Sequence, residues 1–266
     1  MWHNGNELPD QALDRGLQFG DGHFTTLTIE NGRIRWWACH WQRLQAASER
    51  LHICLPTEAE LFSCLTQLTQ AHPKRDLVVK IIVTRGPGAR GYGFNEQANP
   101  HWYITTTALS ERTHKPLKVD IAELRLSRSE HLAGLKTLNR LEQVLLSHER
   151  QQRELDELIV LDSTEQVVEA ISSNLIWRQG DSWYTPSLDY AGVNGVVRTQ
   201  LLSDQPVNLD VCDTASLAQV LAADQVILTN SVLGLRPVAQ IGEHRPTDPT
   251  LPKALINWWQ ASDVSS

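Results

Sequence analysis

The sequence predicts an α+β protein of two domains: a smaller unit over residues 1–107, a linker over 108–116 and a larger unit over 117–266. Three observations support this. Short apolar runs of strand length are interspersed with stretches whose leucines recur at helical spacing. The 266-residue length suits either one large domain or two modest ones. The polar stretch from Ala108 to Pro116 divides these elements into two groups.

In chain order, His23 to Ile29 is rich in Thr and apolar residues, and Asn31-Gly32 separates it from Ile34 to Trp37. That pattern predicts a hairpin. Leu44, Ala47 and Leu51 give helical spacing over His40 to Leu51; Leu61, Leu65 and Leu68 give it over Thr57 to Ala71, after Pro56. Leu77 to Val83 and His101 to Thr107 have strand composition. Beyond the linker, a helix is predicted from Asn139 to about Glu154. Strands follow at Leu158 to Leu161, Val167 to Ala170, Asn174 to Trp177 and Trp183 to Thr185, giving a sheet of mostly local hairpins. A helix opens near Gly195, strands recur at Val226 to Thr229 and Leu235 to Ile241, and an amphipathic helix spans about Leu251 to Gln260.

Composition removes several function classes. The net charge of −7, with scattered Lys and Arg, argues against a nucleic-acid partner. No apolar run approaches the roughly 18 residues of a membrane span, and the first residues lack the pattern of a signal peptide, so a cytoplasmic protein is expected. Four cysteines without Cys-x-x-Cys spacing fit reduced thiols. The histidines form no metal-ligand spacing, and no metal is expected. Gly86 to Gly91 matches the dinucleotide pattern G-x-G-x-x-G, but another strand follows where a Rossmann turn must open a helix. A Gly-x-Ser-x-Gly nucleophile elbow is also missing.

Lys136 lies between Leu135 and Leu138 in a weakly charged segment. Burial there would favour the neutral, nucleophilic amine. Alone, such a lysine is more often a solvated turn residue. Yet His131 to Val144 resembles the lysine segment of the aminodeoxychorismate lyases. These are fold-type IV pyridoxal-phosphate enzymes, alongside D-amino-acid and branched-chain transaminases. Four further segments agree in the same order: Phe19 to Thr26, His40 to Leu44, Val168 to Leu175 and Ala191 to Arg198.

The resemblance implies a smaller N-terminal α/β sandwich, a larger C-terminal mixed-sheet pseudo-barrel with helices, and a homodimer. It makes Lys136 the Schiff-base lysine for pyridoxal 5′-phosphate and the acid-base residue. Glu169 becomes the partner of the pyridine nitrogen, which must stay protonated for the ring to act as an electron sink. Arg43, the backbone of Val196 and Val197, and the Thr229 hydroxyl become the phosphate site, as suits a dianion at a helix N-terminus. Arg90, Tyr92 and Thr25 become substrate contacts. Arginines of the 85–94 loop could equally face water. The implied reaction takes 4-amino-4-deoxychorismate to 4-aminobenzoate and pyruvate, a step of folate synthesis. Thr25 favours the lyase, since related transaminases usually carry Glu there; a transaminase and a non-catalytic cofactor-binding protein are the alternatives.

Overall fold

The computed structural model describes residues 2–3, 6–7, 13–73, 75–88, 91–95, 99–113 and 115–261. Its α+β architecture comprises a smaller antiparallel sheet and a larger, curled mixed one. A two-residue pair, β1 (Trp2–His3) and β2 (Asn6–Glu7), and a short helix α1 (Arg15–Phe19) come first. None of these was legible in the sequence.

The smaller sheet has the order β4-β3-β5-β6, formed by β3 (Gly22–Glu30), β4 (Arg33–Ile34), β5 (Leu77–Thr84) and β6 (His101–Ala108). Alternation along β5 sends Leu77, Val79, Ile81 and Val83 to one face, where they meet Leu27 and Ile29 of β3. Two helices cover that face, α2 (Trp37–Leu51) through Leu44 and α3 (Glu58–Ala71) through Leu61 and Leu65. Thr57 and Glu60 start α3 with a capping box. The predicted strand over Ile34 to Trp37 is shorter than expected. Trp36 takes a left-handed φ of 50°, which ends β4 at Ile34 and starts α2 at Trp37. The next element described after β5 is β6, which pairs with it antiparallel, and not a helix.

The larger sheet runs β12-β11-β10-β13-β14-β7-β8-β9. Its strands are β7 (Leu117–Ile121), β8 (Glu157–Leu161), β9 (Val167–Ala170), β10 (Asn174–Gln179), β11 (Ser182–Pro186), β12 (Leu209–Cys212), β13 (Gln225–Asn230) and β14 (Gly234–Ile241). Hairpins account for β8–β9, β10–β11 and β13–β14. The expectation of a sheet of local hairpins is corrected by parallel pairings of β7 with β8 and β14 and of β12 with β11. Register and partner in such long-range pairings leave no local sequence signal. Strands β8 and β9 are buried along their whole length, as expected of strands covered on both faces.

Helices α4 (Leu141–Gln152), α5 (Val196–Asp204), α6 (Leu217–Leu221) and α7 (Lys253–Ala261) complete the fold. The predicted start of α4 at Asn139 moves to Leu141, because Arg140 has a non-helical φ of −117°. Three of the nine tryptophans fill one place: Trp36, Trp258 and Trp259 pack together, with the Arg35 guanidinium 4.3 Å from the Trp259 ring.

Candidate active site

A cleft of about 380 Å³ is lined by β3, α2, the segment before α4, β9, the N-terminus of α5 and the end of β13. Lys136 is at its wall. Its backbone is tied to β3, where Phe24 N–H donates to the Lys136 carbonyl at 2.9 Å and Leu138 N–H donates to Gly22 O at 3.0 Å. Its amine lies 4.7 Å from the Phe24 ring centre. Burial, then the charge of Arg43, push the Lys136 amine down to about 8, with Glu169 opposing.

Glu169, on β9, is only 5% exposed. One of its oxygens accepts from Val193 N–H at 2.9 Å. Burial raises its carboxyl above the ordinary range, against the pull of that N–H, Lys136 and Arg140. A carboxylate so placed calls for a cationic partner. Gly192 makes room for it: a Cβ there would fall 2.6 Å from Val168 and 3.3 Å from the Glu169 carboxyl carbon, and its φ of +83° already favours glycine.

Also lining the cleft, Gly195 caps α5 without a side-chain bond, so the N–H groups of Val196 and Val197 open the helix. Neither donates to a backbone carbonyl among the described residues. A Cβ at Gly195 would fall 1.8 Å from Asn174 Oδ1, so only glycine permits this approach. Arg43, on α2, donates from Nη2 to Asn194 O at 2.8 Å. Burial lowers its guanidinium to about 10, which leaves it cationic at neutral pH. Thr229 ends the set: its hydroxyl is buried, lines the cleft and has no hydrogen-bond partner.

The geometry fits a phosphorylated pyridine aldehyde. An orphaned hydroxyl, free helix N–H groups and a guanidinium converge where a phosphate would be held, and an amine and a buried carboxylate complete the cleft. Lys136, Glu169, Arg43, Val196 and Thr229 all line this one cleft, and Val197 follows Val196 into α5.

The expected substrate contacts are placed differently. Thr25 is fully buried and its hydroxyl pairs with His40 Nδ1 at 2.6 Å, on the side of β3 that α2 covers. Strand alternation instead sends Phe24 and Thr26 to the cleft. Tyr92 is 84% exposed, packs on Phe19 and does not line the cleft. Arg15 fixes its backbone, donating to the carbonyls of Gly91, Tyr92 and Gly93. Arg90 lies outside the described residues.

Two cations escaped the sequence reading. Arg140 lines the cleft. Lys80 sits on β5 opposite Thr26, with its amine 4.3 Å from the Phe24 ring centre and no acidic partner among the described residues. A lone lysine in the otherwise apolar run Leu77 to Val83 was the available signal.

A sequence model of the amino-transferase class IV family matches residues 22–241. The chain belongs to this family. Among its class IV relatives, an aminodeoxychorismate lyase of Vibrio harveyi is 31% identical over 253 residues, covering 91% of each chain. A D-alanine aminotransferase of Bacillus licheniformis is 28% identical, covering 86% of this chain and 81% of its own. Among solved structures, a 4-amino-4-deoxychorismate lyase from Pseudomonas aeruginosa superposes with a TM-score of 0.82 at 35% identity, covering 99% of both chains. The class IV match spans all the cleft-lining segments, from β3 to the 230–233 turn.

Proposed function

We propose that this class IV chain is a pyridoxal-phosphate-dependent lyase converting 4-amino-4-deoxychorismate to 4-aminobenzoate and pyruvate, a step toward folate. The observation that carries this reading is the gathering of a lysine of depressed pKa, a buried carboxylate, a guanidinium and an unpaired buried hydroxyl in one cleft. The likeness to lyases over nearly the whole chain supports the choice of reaction.

Pyridoxal phosphate, when bound, supplies an aldehyde that condenses with amines and a ring that takes up electrons from the adjacent carbon. Lys136 would hold the group through Nζ, and its lowered pKa keeps part of the amine unprotonated and nucleophilic near neutral pH. Displaced by the substrate amine, Lys136 Nζ would take the proton from the carbon bearing that amine. It would then return a proton to the enol of pyruvate as the carbon–oxygen bond breaks and the six-membered ring becomes aromatic. Glu169 would keep the pyridine nitrogen protonated. Arg43, the N–H groups of Val196 and Val197, and Thr229 would hold the phosphate.

Lys80 and Arg90 are the cations proposed to meet the substrate's carboxylates. An exposed Tyr92 would reach substrate only in a cleft brought to it by a second copy, and a homodimer is part of this reading. Exposed Leu141, Val144 and Leu145 on α4 supply apolar surface for such a contact. Two domains meeting at the cleft, with residues 108–116 between them, complete it. A cytoplasmic location is part of this reading; among the described residues no helix is long and apolar enough to cross a membrane.

A second reading, a D-amino-acid transaminase, uses the same residues and is favoured by the D-alanine aminotransferase relative. Borohydride reduction of the loaded protein followed by peptide mass spectrometry tests the shared part: the pyridoxyl label should fall on Lys136. A label elsewhere, or none, would remove both readings. A strict requirement for an added keto acid would select the transaminase.

A further inference from the structure

Arg140 occupies the N-cap position of α4, yet its side chain turns back along the chain instead of out from the helix. Its Nε donates to the Thr137 carbonyl at 2.9 Å. Its Nη2 donates to the Leu135 carbonyl at 3.3 Å and to Thr137 Oγ1 at 2.8 Å. The guanidinium therefore bridges the residues on either side of Lys136. The Lys136 carbonyl is held separately, by Phe24 N–H at 2.9 Å. Three consecutive carbonyls are thus fixed, two by one planar fork and one by β3.

We propose that Arg140 is a positioning residue for Lys136: by gripping both flanking residues it holds the lysine backbone still while the amine swings between its tasks. This rests on Lys136 being the reacting amine. The need for such a clamp follows from the chemistry. A lysine that anchors the cofactor, leaves, removes a proton and then donates one must return its Nζ to the same place repeatedly, and a long side chain transmits backbone error to its tip. Regular structure supplies little rigidity here, because residues 132–140 precede α4 and, among the described residues, pair with other strands or loops through the isolated bridges of His23 with Thr137 and Gly134 with Val193. Fork geometry matters because a guanidinium satisfies acceptors on two residues at fixed angles, whereas an ammonium donates from a single point.

Arg140 is also one of the charges that hold the Lys136 amine down, after burial and Arg43 and alongside Lys80. Charge and geometry can therefore be separated by two variants. Arg140→Lys keeps the charge and loses the fork; Arg140→Gln loses both. A third variant, Thr137→Val, removes one acceptor and leaves Arg140 in place.

The experiment pairs turnover of the cofactor-loaded protein with the pH dependence of Lys136 modification in cofactor-free protein. The probe is trinitrobenzenesulfonate, and the modified peptide is quantified by mass spectrometry. With Arg140→Lys, kcat should fall roughly 10- to 100-fold, as expected of a small misplacement of a reacting group, while KM changes far less. Its modification midpoint should stay at the wild-type value. Arg140→Gln should lose as much kcat and also raise that midpoint. Thr137→Val should lose kcat by a smaller factor in the same direction. Arg140→Lys turning over within about two-fold of wild type would overturn the proposal, since loss of the fork would then carry no positioning cost. So would a kcat loss in Arg140→Lys matched by a shifted midpoint, which would make charge the cause. Should borohydride fix the cofactor on a residue other than Lys136, the reading of the site fails instead.

Discussion

The residue that organises the cleft is a lysine whose amine sits beside an aromatic ring, three cations and one buried carboxylate. Burial and Arg43 bring it down to about 8 from the usual 10.5. The sign of the pH effect follows. Below that value the amine is protonated and cannot attack, so capture of pyridoxal phosphate by cofactor-free protein should accelerate as pH rises through about 8 and then level off; stopped-flow absorbance checks this. An unshifted lysine would keep gaining up to its ordinary pKa. Lys136→Ala should lose general acid-base catalysis, a fall of roughly 10²- to 10⁴-fold or more in steady-state turnover. Glu169→Gln keeps the hydrogen bond from Val193 N–H and loses the charge, so cofactor binding should survive while kcat falls by about the same order. At this scale the cleft gathers residues singled out from sequence by type, Lys136, Glu169, Arg43 and Thr229. Thr25, singled out because related transaminases usually carry Glu there, is buried against His40, while strand alternation sends Thr26 to the cleft. Thr25→Val should lower stability by about 1–3 kcal/mol in denaturant unfolding, by orphaning buried His40, whereas Thr26→Val should act on kcat.

At the scale of elements, legibility followed locality. Helix α3 announced itself through Leu61, Leu65 and Leu68 after Pro56, and the structure adds a Thr57–Glu60 capping box at its start. Thr57→Ala should cost about 1 kcal/mol, visible as a melting-temperature drop, with turnover unchanged. The start of α2 was hidden because Trp36 adopts a left-handed conformation that a bulky aromatic rarely takes, so the Ile34 to Trp37 run read as a strand. Short elements such as β12 and α6 were missed for the opposite reason. Four or five residues carry too few periods for a pattern, and their place is set by partners far along the chain.

For the whole molecule, the informative contacts join the smaller sheet to the segment that closes the cleft. Arg112 donates to both oxygens of Glu30 at 2.7 Å and, through Nε, to the Val232 carbonyl. Ser231 donates to the carbonyl of Thr26 at 2.7 Å. The 230–233 turn, which lines the cleft, is thereby tied to β3. Arg112→Ala should cost about 1–3 kcal/mol and, by loosening that turn, raise KM more than it lowers kcat. These ties are invisible in the sequence because each joins residues 82 or more positions apart, whereas the class IV family was legible through five short segments in order. The class of enzyme was thus legible from local motifs, and the way its two sheets meet was not. The account stands most directly on one assay: the cofactor-loaded protein mixed with 4-amino-4-deoxychorismate and no keto acid, with pyruvate and 4-aminobenzoate quantified. Equal amounts of the two products, abolished by Lys136→Ala, are the predicted result; product release that requires an added keto acid, or that persists in the variant, would contradict it.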